Sequence, residues 1–421
     1  MPKGKLNVRT INRIVRGKGL GAVLAVALVA ALTVALLLTS CAPGPTAGEK
    51  VVKVAASYPM TGPGSSSMQL QEGGIEDYFR YFNEQEGIPG VRIQLSWADD
   101  MLSVTQIYSN YARFVEQGMP LIFMEQQGAV IGLKDRAEKE QVVLFVAASG
   151  YQEVYYPDPG WRYAVTPSIA EQAAALAEYF MENWQEERAP RLAFIGMDSP
   201  WGLEPEYARE YAQGLGFEVL PLELTPFVTL DATTILLRLR EKEADLVYIQ
   251  ALPMAVGPIL RDAERLGMAG QMTFAGHMSG MGERVVQMAE VASEGYLVPR
   301  PFPWFNEPGI PGIKLILDTQ MEYHGKEMRE GEVTFGWVAA PVVCEAIRRA
   351  IENVGYENVD GAAVKEALDS IKDFDVYGLA TVTYEPYDHR GVTNVAIHRI
   401  EDGKMVRVTD WREVPTVGAE G

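Results

Sequence analysis

Short apolar runs alternate with helical patterns along most of this chain, and that alternation limits its fold more than any other feature. The runs are rich in branched and aromatic side chains, and they cover 51–56, 120–123, 142–148, 191–195 and 246–250. Between them lie segments with helical periodicity, such as 69–84, where Ile75, Tyr78, Phe79 and Phe82 share one face. Apolar strands separated by helices predict parallel sheets that are covered on both faces.

The alternation falls into two series of similar size, which predicts an α/β fold with two lobes. The first series ends near residue 148, and the second runs from about 169 to 275. The segment 299–311 contains five prolines and no periodicity, so it is interpreted as a linker or hinge. Helical stretches at 314–323, 337–354 and 361–371 follow, and the chain ends in hairpin-like strands.

The charge balance excludes nucleic acid as a partner. The 421 residues include 37 Lys and Arg against 56 Asp and Glu, and the formal net charge is −19. The first 40 residues contain basic but no acidic side chains, so the rest of the chain is more acidic still. A nucleic-acid-binding surface must be basic to neutralise phosphates. The same acidity argues against electrostatic adhesion to anionic lipid.

The first 40 residues have the layout of an export signal. Basic residues precede an uncharged apolar run at 20–38, which is typical of a secretory signal peptide. An uncleaved membrane anchor is the alternative, since the run is long enough to span a bilayer. The segment 38–41 (LTSC) resembles the lipobox of bacterial lipoproteins, which favours lipid attachment at Cys41. Residues 41–50 then form a flexible tether, and the body lies outside the cytoplasmic membrane, anchored to it.

The motifs of common enzyme classes are not found in this sequence. His277, His324, His389 and His398 do not stand at metal-ligand spacing with one another or with a cysteine. The sequence also contains no nucleophile elbow, phosphate-binding loop or dinucleotide fingerprint. We therefore expect no metal, no cofactor and no catalytic residue, and a surface hydrolase is disfavoured.

Several motifs, taken in order, resemble one known family. YPMTGPG at 58–64 follows the first strand, and the turn at 87–90 (GIPG) and the pair Asp99-Asp100 follow the first helix. Further matching segments are 143–151 (VLFVAASGY), 162–167 (RYAVTP), 193–202 (AFIGMDSPWG), 244–250 (ADLVYIQ) and 261–267 (RDAERLG). Their order and spacing resemble the leucine/isoleucine/valine-binding type of periplasmic binding protein over almost the whole chain after residue 50.

That resemblance implies the type 1 fold of this family, with two Rossmann-like parallel-sheet lobes joined by three crossovers. Lobe 1 would comprise 51–168 and 305–375, lobe 2 would comprise 169–298 and 380–413, the hinge would be 299–311, and the third crossover would lie near 375–379. The implied function is the substrate-binding protein of an ABC importer, which captures a small solute by lobe closure and presents it to permease subunits. A ligand-sensing receptor module of the same fold is the alternative.

Loops at the carboxyl ends of strands are expected to bind the ligand, because ligands of open parallel sheets bind there. The candidate residues are Ser65, Ser66, Ser67, Gln126, Gln127, Gly128, Ser149, Gly150, Tyr151, Trp201, Gln250, His277 and Met278. In relatives, the turn that corresponds to 148–151 grips the ligand carboxylate through backbone N–H groups and a hydroxyl. An aromatic residue at the position of Trp201 covers the ligand in those relatives.

The second lobe departs from the pattern of amino-acid-binding relatives. They place an acid after the strand that corresponds to 272–275, where it holds the ligand's α-ammonium, but this chain has His277 and Met278 there. Burying an unpaired ammonium is costly, so a related carboxylate or an amide is expected rather than an amino acid. The loop after Gln250 is apolar, which favours an apolar ligand tail.

Overall fold

Two sheets organise the chain between residues 50 and 417. The computed structural model describes these residues apart from Pro63, Ser149 and Met281. The predicted leader and the predicted tether up to residue 49, including Cys41, lie outside the described residues, as do the last four residues. Within the described ranges, no helix has the length and apolarity that crossing a membrane requires.

The first sheet has five strands in the order β2-β1-β3-β4-β5. Its strands are β1 (Lys50–Tyr58), β2 (Val91–Asp99), β3 (Leu121–Met124), β4 (Val143–Val146) and β5 (Arg162–Ala164). The helices between them are α1 (Ser65–Glu84), α2 (Val104–Glu116), α3 (Gln127–Gly132) and α4 (Lys134–Glu140). β3 pairs in parallel with both β1 and β4, and every residue of β3 and β4 is buried. These two strands therefore form the interior of the first sheet.

The second sheet begins with β6 (Arg191–Met197), which lies between two short strands and β9. Its further strands are β7 (Glu218–Val219), β8 (Glu223–Thr225), β9 (Leu246–Gln250), β10 (Thr273–Gly276) and β11 (Leu297–Arg300). The helices of this part are α5 (Ile169–Glu182), α6 (Pro200–Leu203), α7 (Arg209–Leu215), α8 (Thr233–Glu241), α9 (Pro253–Arg265) and α10 (Glu283–Ala289). β6, β9, β10 and β11 are parallel neighbours. The predicted α/β class with parallel sheets is therefore confirmed.

After β11 the chain returns to the first sheet and later rejoins the second. Helices α11 (Pro311–His324), α12 (Gly331–Val354) and α13 (Gly361–Asp369) precede a small antiparallel sheet of β12 (Phe374–Asp375), β13 (Thr381–Glu385) and β14 (Asp388–Gly391). The strands β15 (Asn394–Glu401), β16 (Lys404–Arg407) and β17 (Arg412–Glu413) then complete the second sheet, with β15 antiparallel to β11. The second sheet is therefore mixed.

The last passage between the sheets occurs later in the chain than the sequence suggested. The Tyr384 hydroxyl donates to the Ala164 carbonyl at 3.0 Å, and the His389 N–H donates to the Tyr155 carbonyl at 3.0 Å. These bonds hold β13 and β14 beside the first sheet, and the chain enters the second sheet only at Asn394. The passage therefore lies between Gly391 and Asn394 rather than near 375–379, because the hairpin of β13 and β14 comes before it and lies beside the first sheet.

Three other local predictions differ from the structure. The helix predicted over 69–84 begins earlier, because α1 starts at Ser65, after Gly64 in a left-handed conformation with a φ of 79°. Residues after Gln126 form α3 instead of a loop, with Gln126 as the cap. The segment 299–311 begins inside β11 and is irregular only from residue 301. Polar and Gly-rich sequence indicated loops, and tertiary packing extended helices into them.

Helices α1 and α12 pack with their backbones in close contact. A Cβ added to Gly336 of α12 would lie 2.4 Å from the carbonyl oxygen of Gln71, and one added to Gly74 of α1 would lie 2.6 Å from that of Val333. The Trp337 ring meets the Tyr78 ring edge-on at 5.4 Å. Because two opposed glycines allow this approach, α12 fixes the position of α1 and of its first turn.

Candidate ligand-binding site

The carboxyl ends of strands from both sheets meet around one cavity of about 300 Å³. This volume is at the small end of the range that ligand sites occupy. The lining residues are Pro59, Gly64, Ser67, Met68, Leu102, Glu125, Gln126, Gln127, Ala148, Tyr151, Met197, Ser199, Pro200, Trp201, Phe227, Leu252, His277 and Ser279. Most of these side chains are apolar, and none of the described lining residues is Lys or Arg. The cavity therefore suits a small molecule with an apolar body.

Gln127, the first residue of α3, hydrogen-bonds through its side chain to the turn after β4. Its Oε1 accepts hydrogen bonds from the backbone N–H groups of Gly150 at 2.7 Å and Tyr151 at 2.5 Å. Its Nε2 donates to the carbonyl of Ala148 at 3.2 Å. The side-chain amide thus binds the N–H groups of Gly150 and Tyr151, which were predicted to bind a ligand carboxylate.

Glu125 is a carboxyl group that sequence reasoning did not single out. It follows β3 directly, lines the cavity and is only partly exposed. Its Oε1 accepts from the Gln71 Nε2 at 2.5 Å and from the Ala147 N–H at 3.0 Å. Removal from water raises the pKa of Glu125 to about 8, although the hydrogen bonds from Gln71 and Ala147 oppose that rise. Glu125 is therefore mostly protonated at neutral pH in this state.

This shifted pKa predicts a pH dependence of stability. Between pH 4.5, the ordinary pKa of a glutamate, and about pH 8, the unfolded chain has released the Glu125 proton while the native chain retains it. Rising pH therefore favours unfolding in this window, by at most about 1.4 kcal/mol per pH unit. We expect Glu125→Gln to remove this component. Urea unfolding at pH 5, 6.5 and 8 should show the variant gaining stability relative to wild type as pH rises, and a constant difference would contradict the prediction.

Trp201 and His277 contribute the second-sheet side of the cavity. Trp201 lies in α6, whose single turn is capped by the Ser199 hydroxyl accepting from the Gly202 N–H at 3.2 Å. The indole meets the His277 ring edge-on, with centroids 5.5 Å apart. A Cβ added to Gly150 would lie 3.3 Å from Cδ1 of Trp201. The indole therefore rests against the turn after β4, and the two sheets enclose the cavity between them.

The hydrogen bonding of His277 identifies its tautomer. Its Nδ1 accepts from the Ser279 N–H at 3.1 Å. Burial, with the charge of Arg300 nearby, lowers the pKa of His277 to about 3, so the ring is neutral. A neutral ring whose Nδ1 accepts has its proton on Nε2. That Nε2–H is buried and has no hydrogen-bond partner among the described residues.

The structure brings together only some of the residues predicted to bind ligand. Ser67, Gln126, Gln127, Tyr151, Trp201 and His277 line the cavity. Ser65 and Ser66 lie in the first turn of α1, Gly128 is exposed on α3, Gly150 lies beneath Trp201, and Gln250 and Met278 are buried behind the lining. Ser149 and Cys41 lie outside the described residues. Ligand contact by all of these residues stays a prediction.

Several lining residues were not among the candidate ligand contacts named from the sequence. Besides Glu125 they include Ser199, Phe227, Leu252 and Ser279 on the second-sheet side. A lone acid directly after the apolar run LIFM was a usable signal for Glu125, since charged residues rarely end a fully buried strand without a role. Phe227 and Leu252 have no such signal. In the part of the chain that the structure describes, no group of three acidic, histidine or cysteine side chains could hold a metal ion.

Comparisons with known proteins agree with this architecture. The sequence model of the periplasmic binding protein family matches residues 51–404. A "Leu/Ile/Val-binding protein homolog 7" of Brucella suis is 23% identical over 369 residues, which cover 81% of this chain and 85% of the relative. The Leu/Ile/Val-binding protein of Escherichia coli K12 is 23% identical over 271 residues, or 63% of this chain and 71% of the relative.

Solved structures of similar fold extend the comparison. A branched-chain amino acid ABC transporter protein of Thermus thermophilus with bound valine has a TM-score of 0.81 and 26% identity, covering 87% of this chain and 97% of its own. A Rhodopseudomonas palustris solute-binding protein in complex with 3,4-dihydroxybenzoic acid has a TM-score of 0.73 and 15% identity, covering 89% and 100%. The chain therefore belongs to the periplasmic binding protein family of extracytoplasmic solute-binding proteins.

Proposed function

We propose that this protein captures a small organic solute between its two sheets and presents it to the permease subunits of an ABC importer. The observation that supports this most is the cavity itself, because loops from two separate sheets line it and Trp201 packs against the Gly150 turn. Hinge closure around a ligand is the motion expected of two lobes joined in this way. The three passages between the sheets would act as the hinge.

The cavity also supports a proposal about the solute. An apolar body fits the lining of Met68, Met197, Phe227 and Leu252. Position 277 holds a neutral histidine instead of an acid, so the second-sheet side offers no carboxylate to an α-ammonium. This agrees with the expectation of a carboxylate or an amide rather than an amino acid.

We further propose that the protein is held outside the cytoplasmic membrane by a lipid on Cys41. The lipobox-like sequence at 38–41 and the apolar run before it support this assignment. The acidic chain after residue 40 would remain soluble next to the membrane, with the tether at 41–50 giving it reach. The family to which the chain belongs is extracytoplasmic, which agrees with export.

A thermal-shift screen tests the proposed function. The full chain would be heated with a panel of amino acids, aromatic acids, amides and sugars at millimolar concentration. A ligand that binds only the native state stabilises it by about 2.7 kcal/mol at a hundred times its Kd, so we expect at least one member to raise the melting temperature by several degrees. A transition that no member moves would contradict solute capture.

A further inference from the structure

The turn after β4 is the feature from which the ligand's charge can be inferred. Four described backbone N–H groups around this turn interact with side-chain acceptors of the protein itself. Gly150 and Tyr151 donate to Oε1 of Gln127, and Ala147 donates to Oε1 of Glu125. A backbone bond from Ala148 also favours the ionised form of Glu125. A ligand carboxylate at this turn would have to displace the side chains of Gln127 and Glu125.

The described lining also offers no positive charge that would stabilise an anion, and its one carboxyl group is mostly protonated. Glu125 is the carboxyl group of the described lining, and that lining contains no Lys or Arg. Arg300, a cation of the second-sheet side, is fully buried behind the lining, where its Nη1 donates to the Met278 carbonyl at 3.4 Å. A carboxylate that entered the cavity would lose its hydration without gaining a paired cation, and such a transfer is costly.

The same groups complement a different polar end. The second carboxyl oxygen of Glu125, which is partly exposed to the cavity, keeps acceptor capacity for a ligand N–H while protonated, and it accepts more strongly in the ionised form that a cationic ligand would favour. The Nε2–H of His277, which has no partner in the described part of the chain, is a donor for a carbonyl oxygen. An amide supplies both partners, and an amine supplies the N–H groups.

We infer that the cleft excludes free carboxylates and takes a solute whose polar end is an uncharged or cationic N–H donor, an amide or an amine on an apolar body. This inference rests on the proposed function, because it concerns the ligand of the same cavity. Gln127 and Glu125 act as the specificity-determining residues. They take the backbone donors that a carboxylate would need and leave an acceptor for an N–H group.

Matched ligands that differ only in the polar end test this inference. Isothermal titration of the full chain would compare isovalerate, isovaleramide and isopentylamine, and then benzoate, benzamide and benzylamine. We expect the amide or the amine of each series to bind at least tenfold more tightly than its carboxylate. A carboxylate that bound as tightly as both partners would overturn the inference and leave solute capture intact. Failure of every ligand in both series and in the broad thermal screen would instead contradict the proposed function.

Substitution of Gln127 tests the role of the turn directly. Gln127→Met fills a similar volume without an acceptor and frees the N–H groups of Gly150 and Tyr151. We expect isovalerate and benzoate to bind this variant at least tenfold more tightly than wild type. Gln127→Ala should also bind the carboxylates more tightly, and it replaces Gln127→Met if that variant folds poorly. Gln271→Ala changes an exposed glutamine outside the lining and serves as the matched control. Unchanged carboxylate affinity in folded Gln127 variants would overturn the inference.

The pH dependence of binding distinguishes an amine from an amide. A bound ammonium would favour the ionised form of Glu125, so amine affinity should rise as pH increases from 6 to 8, whereas amide affinity should stay flat. The other titratable groups near Glu125 are Tyr58 and Asp100, with His277 across the cavity. Glu125→Gln should remove the pH dependence for an amine, with the exposed Glu241→Gln as control. Amine binding that kept its full pH dependence in Glu125→Gln would overturn the role of this carboxyl.

Discussion

Replacement of Trp201 by alanine is expected to weaken ligand binding by about thirty- to a thousandfold. The indole lines the cavity, meets His277 edge-on and rests against the Gly150 turn of the other sheet. Truncating a large aromatic side chain at the centre of an interface commonly costs about 2–4 kcal/mol, which corresponds to that range of affinity. In the proposed closure the two sheets meet at the same contact, so we expect both ligand binding and closure to be impaired.

The measurement is a titration of the variant with the best ligand of the thermal screen, accompanied by urea unfolding without ligand. Trp201 is partly exposed and lies in a single helical turn, so we expect unfolding to change by less than about 1 kcal/mol. Trp411→Ala is the control, since that indole is 40% exposed and does not line the cavity. Wild-type affinity in Trp201→Ala would show that the ligand binds elsewhere.

Gly74→Ala is expected to destabilise the protein by about 2–3 kcal/mol, while Gly73→Ala, one residue earlier in α1, should be neutral or stabilising. A Cβ at position 74 would lie 2.6 Å from the Val333 carbonyl and 3.3 Å from the Trp337 ring, whereas one at position 73 would meet nothing within 4 Å. Forcing two packed helices apart typically costs about 1–3 kcal/mol. Alanine at an open helical position gains up to about 1 kcal/mol over glycine.

This pair separates helix packing from helix propensity, because both substitutions add the same methyl group to the same helix. Urea unfolding of the two variants would give the difference in free energy directly. Gly336→Ala, on the opposite helix, should resemble Gly74→Ala, since its Cβ would lie 2.4 Å from the Gln71 carbonyl. Equal stability of the variants at positions 73 and 74 would contradict the close contact of α1 and α12.

The strands could be predicted well from the sequence because buried strands consist of short runs of apolar residues. The run 246–250 coincides with β9, and 191–195 lies inside β6. Helix starts were harder to place. Ser65, Ser66 and Ser67 are typical of a loop, and only the packing of α1 against α12 explains why they form a helical turn.

The candidate site could be located from the sequence but not its chemistry. Several of the loops that the sequence singled out after the strands contribute residues to the cavity lining, among them Gln127, which was predicted to contact the ligand. The direction of its amide depends on the turn at Gly150 and Tyr151. Gly150 lies 23 residues away from Gln127 in the sequence. The pKa of Glu125 likewise depends on the tertiary structure, because burial raises it while the hydrogen bonds from Gln71 and Ala147 oppose that rise. Neither property exists in a local stretch of sequence.

The pairing of α1 with α12 has a consequence for the order in which the protein can form. Six of the nine strands of the second sheet, β6 to β11, are encoded between these two helices, because α1 ends at Glu84 and α12 starts at Gly331. During synthesis or export, the first sheet emerges early but lacks the helix that covers it. Its apolar face stays uncovered until the chain beyond Val354 has emerged. Assembly of the first lobe therefore follows the appearance of the second, and the late helices complete the early strands.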